Sequence, residues 1–168
     1  MMTENGASVL VEAGVARHGL DYSKSDGAST IVFGIYAKNN GAKLYSVDIN
    51  PDNIATCQKT IDKMNLSSCV ELNTADSIEY LKEFSQKVDF LYLDSYDYNR
   101  NNPEIIKASQ AHHLEEIKAI EKKLHGNSII LIDDCKLPGG GKGKSAIQYL
   151  QSNGWKVLMN NYQVLLKK

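Results

Sequence analysis

Short apolar runs recur along the chain, with helix-like segments between them. The runs occupy residues 8–13, 43–48, 69–74, 88–94, 128–133, 155–159 and 162–166. Most are apolar without alternation, the pattern of strands covered on both faces. Strand and helix in alternation predict repeated βαβ units and therefore an α/β fold with a mostly parallel sheet of seven strands. Only Asn160 and Asn161 separate the last two runs. That connection is too short for a parallel crossover, so the final strand is expected to run antiparallel.

The helical segments carry local signals. Asn50 suits an N-cap and Pro51 the first helical position, after which Ile54, Cys57, Ile61 and Met64 recur at spacings of three and four. Leu114, Ile117, Ile120 and Leu124 form a second stripe, with Gly126 as its expected C-cap. Trp155 is expected in the core at the start of a late strand. No repeat or linker divides the chain, so residues 1–168 read as one domain.

Charge narrows the partners. Lys and Arg total 19 and Asp and Glu 20, a net charge of -1, and no block of like charge offers a patch for nucleic acid or a membrane surface. A small-molecule substrate remains, with a homo-oligomer left open. Cys57, Cys69 and Cys135 show no CxxC spacing and read as reduced thiols of a cytoplasmic protein. The first residues have no signal-peptide pattern, and no apolar run reaches the roughly 20 residues of a membrane span.

Acidic residues stand repeatedly where the strands end: Glu12, Asp48, Asp76, Asp94, and the pair Asp133 and Asp134. In an open parallel sheet these carboxyl ends are where ligands bind. After Glu12-Ala13-Gly14, the segment Gly27-Ala28-Ser29-Thr30 opens a helix and lets a ligand approach the backbone. The next strand ends Val47-Asp48-Ile49, with an acid placed to hold two ribose hydroxyls. Together these suit an adenosine group. Two other nucleotide motifs are excluded. Residues 14–19 carry Ala16 where GxGxxG needs its second glycine, and residues 138–145 end in Gly143-Lys144-Ser145 but carry Pro138 where a P-loop needs its first glycine. The latter stretch reads instead as a lysine-bearing loop at the mouth of the site.

These motifs resemble the class I S-adenosylmethionine-dependent methyltransferases over essentially the whole chain. Glu12-Ala13-Gly14 matches the first motif, Val47-Asp48 the ribose-binding acid, Ala75-Asp76-Ser77 the adenine-side turn, and residues 90–94 the fourth strand. The resemblance implies a Rossmann-like doubly wound fold and S-adenosylmethionine as cofactor. It places Gly14 and Ser29 near the methionine end, Asp48 near the ribose and Asp76 near adenine. The full expected cofactor set is Glu12, Gly14, Gly27, Ser29, Thr30, Asp48, Ile49, Asp76 and Ser77. One departure is the insertion at 15–26, which includes Arg17, His18, Asp21 and Tyr22 and is either a lid or a longer surface loop.

Asp94, Asp133 and Asp134 converge if strands four and five are neighbours, and three clustered carboxylates repel unless protonated or bridged by a cation. Oxygen-only ligands favour magnesium, calcium or manganese. The arrangement resembles the metal-dependent O-methyltransferases of the catechol type and the bacterial enzymes acting on sugars and natural products. That resemblance implies metal ligands Asp94, Asp133 and Asp134 and methylation of a hydroxylated small molecule or sugar. The lysine base of the catechol-type pattern is replaced by Asp97. His112 and His113 are the candidate substitutes beside Asp94. Helical spacing puts His113 on the inward face with Ile117 and Ile120, and His112 opposite with Glu115 and Glu116. Relatives of this type carry helices before the first strand, and here that cover is expected to be absent, shortened, or supplied by another subunit or by the inserted loop. The alternatives are a metal-independent methyltransferase and a binding module without catalysis.

Overall fold

The computed structural model describes residues 2–21 and 27–168. Seven strands form one sheet: β1 Val9–Ala13, β2 Lys43–Asp48, β3 Val70–Thr74, β4 Val88–Leu93, β5 Leu124–Ile132, β6 Lys156–Asn160 and β7 Val164–Lys167. Their spatial order is β3-β2-β1-β4-β5-β7-β6. β1 to β5 pair in parallel, and β7 runs antiparallel between β5 and β6. The chain first builds outward from β1 to β3 and then restarts at β4 on the other side of β1. The order therefore reverses between β1 and β4, and that is where a crevice opens above the strand ends.

Among the described residues five α-helices cover the two faces: α1 Ser29–Asn40, α2 Pro51–Lys63, α3 Ser77–Glu83, α4 Pro103–Ile120 and α5 Lys144–Ser152. Strand alternation divides the core accordingly. Leu10, Leu44, Phe90 and Ile129 meet Ile31, Phe33, Cys57 and Ile61 from α1 and α2. Val11, Leu91, Leu93 and Ile130 meet Leu81, Ile117, Ile120 and Leu150 from α3, α4 and α5, with Trp155 in the same cluster. Asn50 caps α2 by accepting from the Asp52 amide at 2.9 Å, and Pro51 follows at the first turn.

Two boundaries differ from the sequence expectation. α4 stops at Ile120 and a 3-10 turn, Glu121–Lys123, leads straight into β5 at Leu124. Gly126 is therefore no C-cap but lies within β5, in a bulge between the pairs Val88–Leu124 and Phe90–Ile129. Ser128 holds that bulge: its hydroxyl accepts from the His125 amide at 2.8 Å and donates to the Val88 carbonyl at 2.6 Å, replacing ladder bonds. At the far end β7 begins at Val164, two residues later than expected, which frees Tyr162 and Gln163 from the ladder. Among the described residues no helix is long and apolar enough to cross a membrane, and Cys57, Cys69 and Cys135 are free thiols.

Candidate active site

The carboxyl ends of five strands are tied into one row by backbone bonds that continue the sheet. Gly14 donates to the Val47 carbonyl, Ala75 to Asp48, Asp94 to Ala13 and Asp133 to Leu93, at 2.9 to 3.1 Å. Above this row lies a cavity of about 1110 Å³. Of the expected cofactor residues, Gly14, Gly27, Ser29, Asp48, Ile49, Asp76 and Ser77 line it, as do Asp94, Asp133, Asp134 and His112. Glu12, Thr30 and His113 do not line it.

Gly14 sits where the crevice is tightest. Its φ is +89°, and a Cβ there would stand 2.6 Å from the Asp94 carbonyl oxygen. Only glycine lets β1 and β4 separate at this point. Beyond it Val15 and Ala16 turn back into the core, and the Ala16 amide donates to Thr30 Oγ1 at 2.8 Å. The described part of the insertion thus packs down at its root, and Arg17 reaches Asp97 at 3.1 Å across the cavity mouth. Tyr22 and the rest of 22–26 lie outside the described residues.

Asp48 ends β2 with its carboxylate fixed from three sides, by the Asn50 amide at 2.8 Å, Asn53 Nδ2 at 3.2 Å and the Val15 amide at 3.4 Å. Asp76 follows β3 and serves as the N-cap of α3, accepting from the Ile78 and Glu79 amides. Glu12 takes a different place from the one expected. Strand alternation turns it with Leu10 toward α1, where it is fully buried and accepts from Ser46 Oγ at 2.6 Å. Burial pushes its carboxyl up to about 7, against the hydroxyls of Ser29, Ser46 and Thr30, which lower it. Glu12 is a support beneath the cavity floor rather than part of its lining.

His113 is on the inward face as expected but lies in the core, and it is His112 that reaches the cavity. His113 is buried and donates from Nδ1 to the Ser109 carbonyl at 2.9 Å, one turn back on its own helix. Burial holds it below the ordinary histidine range, so it is a neutral core residue. His112 faces the cavity beside Ser77, at 3.0 Å, and Tyr96, at 5.2 Å between rings. Glu116, placed by the helical wheel on the outer face, is instead completely buried. Its Oε1 accepts from Ser77 and Ser95 at 2.6 Å each and lies 3.3 Å from His112 Nε2. Burial opposes both charges, yet the pairing outweighs it, raising His112 and lowering Glu116. α4 keeps an exposed face along Lys107, Ala111, Glu115 and Lys118, but its flank bearing His112 and Glu116 is covered by the start of α3, where Ser77 bonds Glu116, and this the helical wheel does not show. His112 therefore lies at the Ser77 end of the cavity, where adenine was expected.

The three acids of β4 and β5 do line one end of the cavity, and two of them, Asp94 and Asp134, close on a lysine. Lys142 Nζ lies 2.8 Å from Asp94 Oδ1 and 3.0 Å from Asp134 Oδ2, and the residue is only 4% exposed. Burial works against its charge, but the two carboxylates outweigh that and raise it above the ordinary lysine range. Burial also pushes Asp94 up to about 6, with Lys142 pulling the other way. Asp133 is occupied separately by the Tyr92 hydroxyl, by Gln163 Nε2 at 2.9 Å and by the Asp134 amide at 2.7 Å. The Tyr162 hydroxyl donates to Asp134. The loop that delivers the lysine turns at Gly141, whose φ is +65° and whose Cβ would fall 2.1 Å from the Asp134 carbonyl oxygen. Gln110 anchors it by donating to the Gly139 and Gly141 carbonyls.

This arrangement does not fit the expected divalent ion. An ammonium already bridges Asp94 and Asp134, and Asp133 has its oxygens engaged elsewhere. Among the described residues no group of three His, Cys, Asp or Glu side chains is arranged to hold a metal. Lys142, Tyr162 and Gln163 were missed by sequence reasoning. The only signal for Lys142 was the lysine-bearing glycine loop, which was expected at the mouth of the site and not in its wall.

The sheet order, the crevice at its reversal and the row of strand-end acids define a class I methyltransferase fold. The chain belongs to the methyltransferase domain family, whose model matches residues 25–135, from just before α1 to the end of the Asp133-Asp134 turn. No curated protein matches significantly. Among solved structures, the Podospora anserina methyltransferase PaMTH1, determined with SAH bound, superposes with a TM-score of 0.71 at 14% identity, covering 99% of this chain and 74% of its own. A Streptococcus mutans protein in complex with SAH gives 0.66 at 18% identity, with 96% and 88% covered. An rRNA methylase from Streptococcus thermophilus gives 0.61 at 14%, with 97% and 87% covered.

Proposed function

We propose that this protein is an S-adenosylmethionine-dependent methyltransferase acting on a hydroxyl oxygen of a small molecule. The observation that carries the reading is continuity: one cavity joins Gly14, Asp48 and Asp76 to Asp94, Asp134 and Lys142. Asp48 is already oriented by Asn50, Asn53 and Val15 and offers carboxylate oxygens to a ribose diol. Ser77, His112 and Tyr96 offer hydrogen bonds and ring faces to adenine at one end. When bound, S-adenosylmethionine would supply a methyl on a positively charged sulfur, the carbon–sulfur electron pair returning to sulfur as the acceptor oxygen takes the methyl and its hydroxyl proton passes to solvent water. At the other end, Asp94 lies beside Gly14 and takes the acceptor side of the cavity, with Tyr96 and Tyr98 on the following loop. Holding two reactants in one crevice lowers the entropic part of the barrier.

Calorimetric titration tests this. S-adenosylmethionine and SAH are expected to bind while NAD and ATP do not, and Asp48→Ala is expected to weaken binding about tenfold. Failure of both S-adenosylmethionine and SAH to bind would refute the reading. Binding without transfer of labelled methyl to any catechol or sugar would leave the chain a binding module.

A further inference from the structure

We propose that the Lys142 ammonium is the resident cation of the acceptor site, standing where a divalent ion would otherwise bridge the strand-end acids, so that methyl transfer here needs no metal. The inference rests on the reading of the site as a methyltransferase centre, but its central observation is geometric. Lys142 is buried and links the end of β4 to the turn after β5, at 2.8 Å from Asp94 and 3.0 Å from Asp134. Those separations suit an N–H donor. A magnesium ion takes its oxygens at about 2.0–2.1 Å and keeps several waters, and the same carboxylates cannot serve both cations at once. The position is also built rather than incidental: Gly141 makes the turn that only glycine accepts, the Lys142 amide donates to the Asp134 carbonyl at 3.2 Å, and Gln110 clamps the loop from α4.

An ammonium has three N–H groups, and Asp94 and Asp134 engage two of them. The third is available to an acceptor oxygen in the cavity that Lys142 lines. As that oxygen loses its proton to solvent water, the fixed positive charge stabilises the developing negative charge, which is the service a Lewis acid would perform. The chemistry selects acceptors with a single acidic hydroxyl as readily as those with two. A bridging metal favours vicinal diols that chelate it, whereas a lysine offers only one point of contact.

The test is manganese binding to the free protein, followed by paramagnetic resonance and calorimetry, in wild type, Lys142→Ala and Lys142→Met. Wild type is expected to show no saturable site. Lys142→Ala removes a positive charge between two carboxylates and is expected to bind one manganese ion at least about a hundredfold more tightly. Asp94→Asn added to Lys142→Ala is expected to abolish that site. Lys142→Met keeps the volume of the side chain and guards against a collapsed loop, with circular dichroism confirming the fold. Methyl transfer by wild type is expected to be unchanged by EDTA. A saturable manganese site in wild type that is lost in Asp133→Asn would overturn the inference, as would folded Lys142→Ala and Lys142→Met proteins that gain no site. If S-adenosylmethionine fails to bind while the manganese exchange behaves as expected, the reaction falls and the cation assignment stands.

Discussion

The two halves of the carboxyl edge are built by different means. Around β1, β2 and β3 the groups that face the cavity are held mainly by near neighbours: Asp48 by Asn50 and Asn53, and Asp76 by Ile78 and Glu79. Around β4, β5 and β7 the partners are far apart in sequence, Lys142 lying 48 positions after Asp94 and Gln163 30 positions after Asp133. The first half is thus a set of local turns placed side by side by the sheet, and the second exists only when distant segments meet. Charge follows the same division. The first half spaces its acids one per strand, whereas the second gathers three, two of them held by one lysine and the third, Asp133, by Tyr92 and Gln163.

The sharpest way to break the second half is to remove its cation. Lys142→Ala leaves Asp94 and Asp134 facing each other with no cation between them, and is expected to lower unfolding free energy by about 4 kcal/mol in EDTA. Urea titration reads this, and a loss below about 1 kcal/mol would show that the cluster tolerates its own charge. Gly14→Ala strikes the seam where the two halves meet. The positive φ and the Cβ contact with Asp94 are expected to cost about 3 kcal/mol, together with most of the S-adenosylmethionine affinity. Near-native stability in that variant would mean the crevice can widen.

Glu12, beneath the first half, gives a pH signature. Its folded-state value of about 7 lies above the unfolded 4.5, so the folded protein retains a proton that the unfolded chain releases. The contribution of Glu12 to stability is therefore greatest below 4.5, falls as pH rises from 4.5 to 7, and levels off beyond. At roughly 1.4 kcal/mol per pH unit the contribution is about 3 kcal/mol at most. Glu12→Gln is expected to flatten that window, and thermal melts from pH 5 to 8 that keep the wild-type slope would remove Glu12 as its source. The smallest effect belongs to Asp48→Asn. It keeps the turn and is expected to weaken cofactor binding about tenfold with stability unchanged.

The same division explains what the sequence disclosed. Seven strands, the antiparallel end and the Asn50-Pro51 start of α2 were legible because each depends on periodicity or a local cap. Gly14, Asp48 and Asp76 were legible because strand-end position alone brings them to the edge. The boundary near Gly126 was misjudged because Leu124 continues the spacing of Ile117 and Ile120 even after the chain has left the helix. Its burial as the first residue of β5 is indistinguishable in sequence from another helical turn. Helical spacing likewise separated His112 from His113 but could not show that α3 covers the flank of α4 that bears His112 and Glu116, so Glu116 was grouped with the exposed Glu115 on the side opposite the core. Lys142 was hidden because a buried lysine is set by its partners, and Asp94 and Asp134 are distant in the chain.

The place of β7 has a consequence for how the molecule is made. A chain emerging from the ribosome presents β1 to β5 first and β6 next, yet β7, later than all of them, must insert between β5 and β6. The sheet consequently cannot close until its last strand arrives, and Tyr162 and Gln163 reach Asp134 and Asp133 only in that same event. Assembly of the acid cluster then becomes a late step of folding with high contact order. Pulsed hydrogen exchange should find amides of β5 and β7 protected after those of β1 and β2, so that the nascent protein acquires a core before it acquires a complete site.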